Sequence, residues 1–358
     1  MEKADLKYFL ASNSCEGFIS HFKDSFDPND NWKAFIIKGG PGTGKSSFMK
    51  KIAQYAQNKN EKYILCPCSS DPDSLDGVIL PDKKTIILDG TAPHTLDPTY
   101  PAVCEEILNF GQFWDADKIT DTTKIIEITN RNKALHKTAS CYLQAVGKFV
   151  LDNYKTALAC TNKSKIKNFG AILSKRYIPK TNNPSYEWVR FLGGITPKGL
   201  ITYPETVTET YENIIIINDE FYASSNILMQ QIRNYAIDCG HEIITVLNPF
   251  LPSLITDHII IPGLSLAFVT ENSNMKFDIN ARRIHARRFT SNKLLHNSIQ
   301  RIKFNKKAIS SILTTACNTL KEAKQVHDQL ESYYINAMNF SELNKFADKF
   351  CKKLFEVV

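Results

Sequence analysis

A run of glycines that ends in a lysine and two serines is the segment of this chain best suited to chemistry. It comprises Gly39, Gly40, Pro41, Gly42, Thr43, Gly44, Lys45, Ser46 and Ser47. The spacing fits G-x-x-x-x-G-K-[ST], the Walker A phosphate-binding pattern. Glycines there allow a tight turn, so backbone N–H groups point at a phosphate where the next helix begins. We therefore expect Lys45 to contact the β- and γ-phosphates of ATP, and the Ser46 hydroxyl to bind Mg²⁺.

The segments on either side are those that must position such a loop. Before it, residues 33–38 form a short, largely apolar run typical of a buried parallel strand. After it, apolar residues recur at helical spacing, namely Phe48, Met49, Ile52, Tyr55 and Ala56. The order strand, loop, helix predicts nucleotide binding rather than a glycine-rich turn that matches the pattern by chance.

A Walker A site also needs a carboxylate near the Mg²⁺ ion, and this carboxylate is expected at the end of a second buried strand. The apolar run 86–88 is closed by Asp89, 44 positions after Lys45. An aspartate at such a place also commonly caps a turn, and this alternative stays open. We predict that Asp89 binds Mg²⁺ together with Ser46.

The residues after Asp89 lack the glutamate that often orients water in ATPases. His94 and the acids Asp71, Asp73 and Asp76 are the remaining candidates for positioning water or a phosphoryl acceptor. We include His94 with Lys45 and Asp89 as a catalytic candidate, with a surface histidine or a histidine held by hydrogen bonds as the alternative. For the three acids, solvated loop charge or helix capping is the favoured interpretation.

The chain also contains an internal repeat. At an offset of 182, Phe9, Leu10, Gly17 and Ile19 align with Phe191, Leu192, Gly199 and Ile201. At an offset of 180, Ile36, Ile37, Met49, Ile52, Tyr55 and Ala56 align with Ile216, Ile217, Met229, Ile232, Tyr235 and Ala236. The matched positions are core positions, which indicates a shared fold.

The second copy has lost the phosphate-binding residues. Residues 39–46 align with residues 219–226, which contain neither glycine nor lysine and begin with Asp219 and Glu220. Carboxylates and β-carbons at this place repel and block a nucleotide. We predict a second site that does not bind nucleotide.

These features together resemble a group of bacterial proteins described only as ATPases or P-loop NTP-binding proteins. The resemblance covers nearly the whole chain and is specific around residues 36–47 and 71–94. It implies ATP binding through Gly39 to Ser47 and a duplicated P-loop fold, and it implies no substrate.

We therefore expect an α/β protein with two P-loop NTPase-like parallel-sheet cores, each followed by a helical segment. The first unit covers residues 1–180, with a core at about 1–100 and helices at about 101–178. The second covers residues 186–358, with a core at about 186–274 and helices at about 275–358. The chain length of 358 residues is long for one hydrophobic core and is suited to these two units.

Composition indicates the compartment of the protein, and the distribution of charge indicates candidate partners. Neither a signal peptide nor an apolar run long enough to span a membrane is evident, and the nine cysteines are scattered, so we expect a cytoplasmic protein with reduced thiols. Residues 279–321 carry ten Lys or Arg and no acid. This stretch is a candidate for binding a polyanion or an acidic protein, or for an arginine finger, and a solvated basic face is the alternative.

The function favoured by these observations is Mg-ATP binding with slow hydrolysis, coupled to a partner or a conformational change. Two alternatives stay open. One is a phosphotransferase acting on a small molecule or nucleotide, and the other is a nucleotide-gated adaptor without catalysis. The oligomeric state is left open.

Overall fold

The computed structural model describes residues 5–356 and shows an α/β protein with mixed β-sheets. The strands in this range are β1 Leu6–Lys7, β2 Ala11–Ser14, β3 Gly17–Ser20, β4 Lys33–Lys38, β5 Ile64–Pro67, β6 Leu75–Leu80, β7 Thr85–Asp89, β8 Glu105–Asn109, β9 Tyr186–Arg190, β10 Gly193–Thr196, β11 Gly199–Thr202, β12 Asn213–Asn218, β13 Glu242–Leu247, β14 Thr256–Ile261, β15 Leu266–Glu271 and β16 Arg282–His285. The α-helices are α1 Lys45–Asn58, α2 Thr122–Ala159, α3 Lys163–Tyr177, α4 Glu205–Thr208, α5 Ala223–Asp238, α6 Asn292–Asn297, α7 Ile299–Ile335 and α8 Phe340–Phe355.

The first six-stranded sheet has the order β1-β5-β6-β7-β4-β8. Strands β7 and β8 pair in parallel with β4, whereas β6 runs antiparallel to both β5 and β7. The expectation of a purely parallel sheet was therefore wrong at β6. The physical reason is the connection from β6 to β7, a short turn at residues 81–84 that reverses the chain and leaves no room for a crossover helix.

The second six-stranded sheet repeats this arrangement. Read from β9, its order is β9-β13-β14-β15-β12-β16, and β14 is again the antiparallel strand. The pairing register is also the same in both sheets. Ile37 pairs with Asp89 in the first sheet, and the aligned residue Ile217 pairs with Thr270 in the second. Both sheets extend beyond the predicted cores, since β8 and β16 follow residues 100 and 274.

A four-stranded sheet joins the two halves in the order β11-β10-β2-β3. Phe9 and Phe191 bond to each other reciprocally, with N···O distances of 2.8 and 2.9 Å. Asn13 and Ile195 lie opposite each other in the antiparallel pairing of β2 and β10. Because both pairs join residues aligned at the offset of 182, the halves meet about a local two-fold axis.

The last helix of each half packs on the sheet of the other half. Helix α3, with Ile166 and Leu173, is buried in the core of the second sheet against α5. Helix α8, with Leu343 and Phe350, is buried in the core of the first sheet against α1. Packing thus crosses the boundary near residue 180 that the sequence suggested.

Helices α2 and α7 run antiparallel along each other. Asn132 donates to the carbonyl of Ala323 at one end, and Asp152 pairs with Arg301 at the other. Apolar residues of both helices fill the seam, with Leu143 and Leu320 among the most buried. Within residues 5–356, no helix combines the length and the apolarity that a bilayer crossing needs.

Candidate functional site

The glycine-rich segment forms the turn between β4 and α1, at the carboxyl end of a central strand. Gly42 and Gly44 have φ angles of 69° and 78°, a left-handed conformation that glycine adopts without strain. Gly44 is the residue before the first turn of α1, whose free N–H groups and dipole favour an anion. The turn and the helix start together provide N–H groups that can bind an anion.

Lys45 is the first residue of α1, and its side chain turns back onto this loop. Its ammonium group donates to the carbonyls of Gly39 and Gly40, at 3.1 and 2.8 Å. The same nitrogen is 3.7 Å from Asp89 Oδ2, and both side chains are only 13% exposed. Two residues that sequence analysis singled out separately are therefore neighbours, because β4 and β7 are adjacent parallel strands.

Ser46 and Asp89 offer the hard oxygen atoms that Mg²⁺ prefers. Ser46 Oγ accepts a hydrogen bond from the backbone N of Leu75 at 3.0 Å, which ties the first turn of α1 to β6. Asp89 Oδ1 accepts from both the backbone and the hydroxyl of Thr91, so this carboxylate also caps a turn. Its Oδ2 faces Lys45, and both Ser46 and Asp89 line the same cavity. The residues present fit the cation.

His94 is buried beside Asp76 instead of lying on the surface. Its Nε2 is 3.4 Å from Asp76 Oδ1, and its ring packs on Phe22. Burial lowers the pKa of His94, but the charges of Asp76 and Asp89 outweigh burial, so the net pKa is raised. Asp76, in β6, is only 3% exposed. The interpretation of Asp76 as solvated loop charge was therefore wrong, because the residue lies within a strand; Asp73 is exposed as that interpretation requires.

A cavity of about 1080 Å³ opens above the loop, and residues 39–47 all line it. A second wall is formed by α2 and α7, which contribute polar side chains that include Asn132, Lys133, His136, Lys324, His327 and Glu331. Burial, together with the nearby His327, lowers the pKa of His136. Sequence reasoning missed this wall. The only available signal was polar residues recurring at three- and four-residue spacing on two helices, which is also typical of a solvated face.

The equivalent loop of the second half is filled by its own carboxylate. Asp219 Oδ2 accepts from the backbone N of Ser224 and Ser225, at 2.7 and 2.9 Å, at the start of α5. Glu220 pairs with Lys306 and accepts from Ser273. The N–H groups of Ser224 and Ser225 at the start of α5 are thus already hydrogen-bonded to Asp219, and the loss of nucleotide binding in this half stays a prediction.

The basic stretch 279–321 lies away from the cavity, apart from Leu320. Arg283 and Arg301 pair with Glu271 and Asp152, and Arg288 packs on the ring of Phe169. None of Arg282, Arg283, Arg287 and Arg288 lines the cavity. This placement speaks against an arginine finger within one chain.

Scans against protein-family models, curated proteins and solved structures find no significant match to this chain. The functional argument therefore rests on the residues and their geometry.

Proposed function

We propose that this chain binds Mg-ATP in the cavity above residues 39–47 and hydrolyses it slowly. The observation that carries the proposal is the approach of Lys45 Nζ to Asp89 Oδ2 at 3.7 Å, on the floor of a cavity that the whole glycine-rich segment lines. A lysine and a carboxylate so placed are the cation and the metal-side anion that P-loop NTPases need. The shared strand order of the two sheets supports a duplicated P-loop fold.

Different residues of the site would bind phosphate, bind the metal ion and orient water. The N–H groups of the loop and the first turn of α1 bind phosphate oxygens, and Lys45 compensates their charge. Ser46 and Asp89 would hold Mg²⁺, which neutralises phosphate charge when it is bound. His94 is the candidate for orienting water, since its ring is fixed between Phe22 and Asp76.

Contact between the loop and α7 supports coupling of nucleotide to conformation. A β-carbon added to Gly42 would lie 2.9 Å from the carbonyl oxygen of Glu331. Helix α7 therefore packs directly on the loop, and a nucleotide that enters there must alter this contact. The long α2–α7 pair can carry the change to a partner.

The test is to compare Lys45→Ala with Lys51→Ala. Lys51 is on the same helix but pairs with Asp348 outside the cavity, so it is the matched control. We expect Lys45→Ala to abolish phosphate release and to weaken ATP binding in calorimetry, while Lys51→Ala changes neither. An unchanged hydrolysis rate in purified Lys45→Ala protein would overturn the proposal.

A phosphotransferase is the second candidate, and the size of the cavity favours it. A space of about 1080 Å³ walled by Lys133, His136 and Lys324 has room for an acceptor beside a triphosphate. Loss of the γ-phosphate to a compound from a metabolite pool, in place of free phosphate release, would identify this activity. Binding with neither outcome would indicate the adaptor. A polyanion or acidic partner for residues 279–321 stays a prediction.

A further inference from the structure

Three side chains that can bind metal converge next to the nucleotide site. Asp76, Asp89 and His94 each offer one ligand atom, and these atoms lie within 4.8 Å of one another. Asp76 and His94 are 3% and 7% exposed. Asp89 is the last residue of β7, so the cluster lies where β7 ends and the cavity begins.

The sheet forces the two carboxylates together. Strands β6 and β7 are antiparallel, and Gly77 pairs with Leu88. The next position along this register sets Asp76 opposite Asp89. Like charges directly opposite on neighbouring strands are destabilising, and more so when they are withdrawn from water.

Hydrogen bonds within the protein leave some polar atoms of this cluster without a partner among the described residues. Among the described residues, none forms a hydrogen bond with the buried atoms Asp76 Oδ2 and His94 Nδ1. The separation of 3.4 Å between His94 Nε2 and Asp76 Oδ1 exceeds that of a good hydrogen bond. Lys45, the nearby cation, donates to the carbonyls of Gly39 and Gly40, and at 3.7 Å from Asp89 Oδ2 it is too far away for a good hydrogen bond to that carboxylate.

We infer that Asp76, Asp89 and His94 form a site for a divalent first-row transition-metal ion that binds without nucleotide. Two carboxylates and an imidazole suit such an ion, whereas Mg²⁺ favours oxygen ligands alone. Three protein ligands also leave coordination positions for water. The inference goes beyond the proposed nucleotide binding and shares with the proposed function only Asp89 and His94.

The experiment titrates the full chain with Mn²⁺ in the absence of nucleotide and follows free Mn²⁺ by electron paramagnetic resonance. We expect one Mn²⁺ per chain, retained in the presence of a tenfold excess of Mg²⁺, as the imidazole ligand predicts. Asp76→Asn and His94→Gln should each weaken binding by roughly tenfold or more. Their matched control is His21→Gln, because His21 also contacts an aspartate, Asp24 at 3.1 Å, but does not line the cavity.

Lys45→Ala separates this inference from the proposed function. That variant should lose ATP yet bind Mn²⁺ at least as tightly as the wild type, because it removes a positive charge 3.7 Å from Asp89 Oδ2. If the wild-type chain binds ATP but takes up Mn²⁺ only when nucleotide is present, the metal site is overturned and the proposed function stands. Equal Mn²⁺ affinity in His94→Gln and His21→Gln would overturn it as well.

A second measurement covers the case in which the cluster variants fail to fold. Saturating Mn²⁺ should raise the Tm of the wild-type chain, because an ion that binds only the folded state stabilises it. The same concentration of Mg²⁺ should raise it less. A wild-type Tm that does not respond to Mn²⁺ contradicts the inference.

Discussion

Glu331 accepts a hydrogen bond from the backbone nitrogen of Gly42 at 3.2 Å, so a carboxylate from α7 is bound to one of the loop N–H groups that we propose for phosphate binding. His327 lowers the pKa of Glu331, burial opposes this, and the Gly42 amide adds to the lowering, so the pKa is lowered overall. The group over the loop is therefore an anion. Under the proposed function, a nucleotide phosphate would compete with this carboxylate for the Gly42 N–H.

Removing this charge should favour nucleotide. We expect Glu331→Gln to bind ATP on the order of tenfold more tightly, since a hydrogen bond to a charged group is worth about 1.5 kcal/mol or more. Calorimetric titration measures the change. Glu322→Gln is the control, because Glu322 lies on the same helix but pairs with Arg131. Weaker binding in Glu331→Gln would show that the carboxylate assists nucleotide instead of competing with it.

Asp89→Asn should reduce the dependence of ATP binding on Mg²⁺. The amide retains an oxygen for the bonds from Thr91 but loses the negative charge that faces Lys45 and the cation. Titrating Mg²⁺ at fixed ATP measures the effect, with Asp82→Asn in the turn after β6 as the control. Coinciding titrations of Asp89→Asn and wild type would leave Asp89 as a turn residue only.

One nucleotide should bind per chain. In the second half, Asp219 already satisfies the N–H groups of Ser224 and Ser225, and no lysine stands where Lys45 stands in the first. Calorimetry should give a stoichiometry near one, and Asp219→Ala should leave it there. A value near two that persists in Lys45→Ala would mean that the second half binds nucleotide by another route.

Stability should depend on pH through Asp257. Burial raises the pKa of this carboxyl to about 7, although bonds from Asn248 oppose the shift. Its unfolded pKa is about 3.9, so the stabilisation is complete below about pH 4 and is lost as pH rises to about 7. We expect the Tm of wild type to fall between pH 5 and pH 8 relative to that of Asp257→Asn.

The neighbouring His258 has an opposite shift, since burial lowers its pKa to about 3, but it is present in both proteins and cancels in the comparison. Asp238→Asn, at an exposed aspartate, should follow wild type at every pH. Parallel curves for wild type and Asp257→Asn would contradict the prediction.

Much of the candidate site was readable from local pattern. The segment 39–47 has the Walker A spacing, which is fixed in that pattern because adjacent backbone groups bind one phosphate, and the run that ends at Asp89 has the apolarity of a buried strand. The offset of 182 likewise identified Phe9 and Phe191, which meet on the local two-fold axis. Such features are set by residues near one another in sequence or by a repeat of them.

Tertiary structure alone decided what surrounds that loop. The burial of Asp76 follows from the reversal at β6, and the contact of Glu331 with Gly42 joins residues 289 positions apart. The packing of α3 and α8 on opposite halves has no local signature either. These contacts depend on which apolar faces meet when the whole chain folds, and a carboxylate has the same appearance in sequence whether it faces water, another side chain or a backbone N–H.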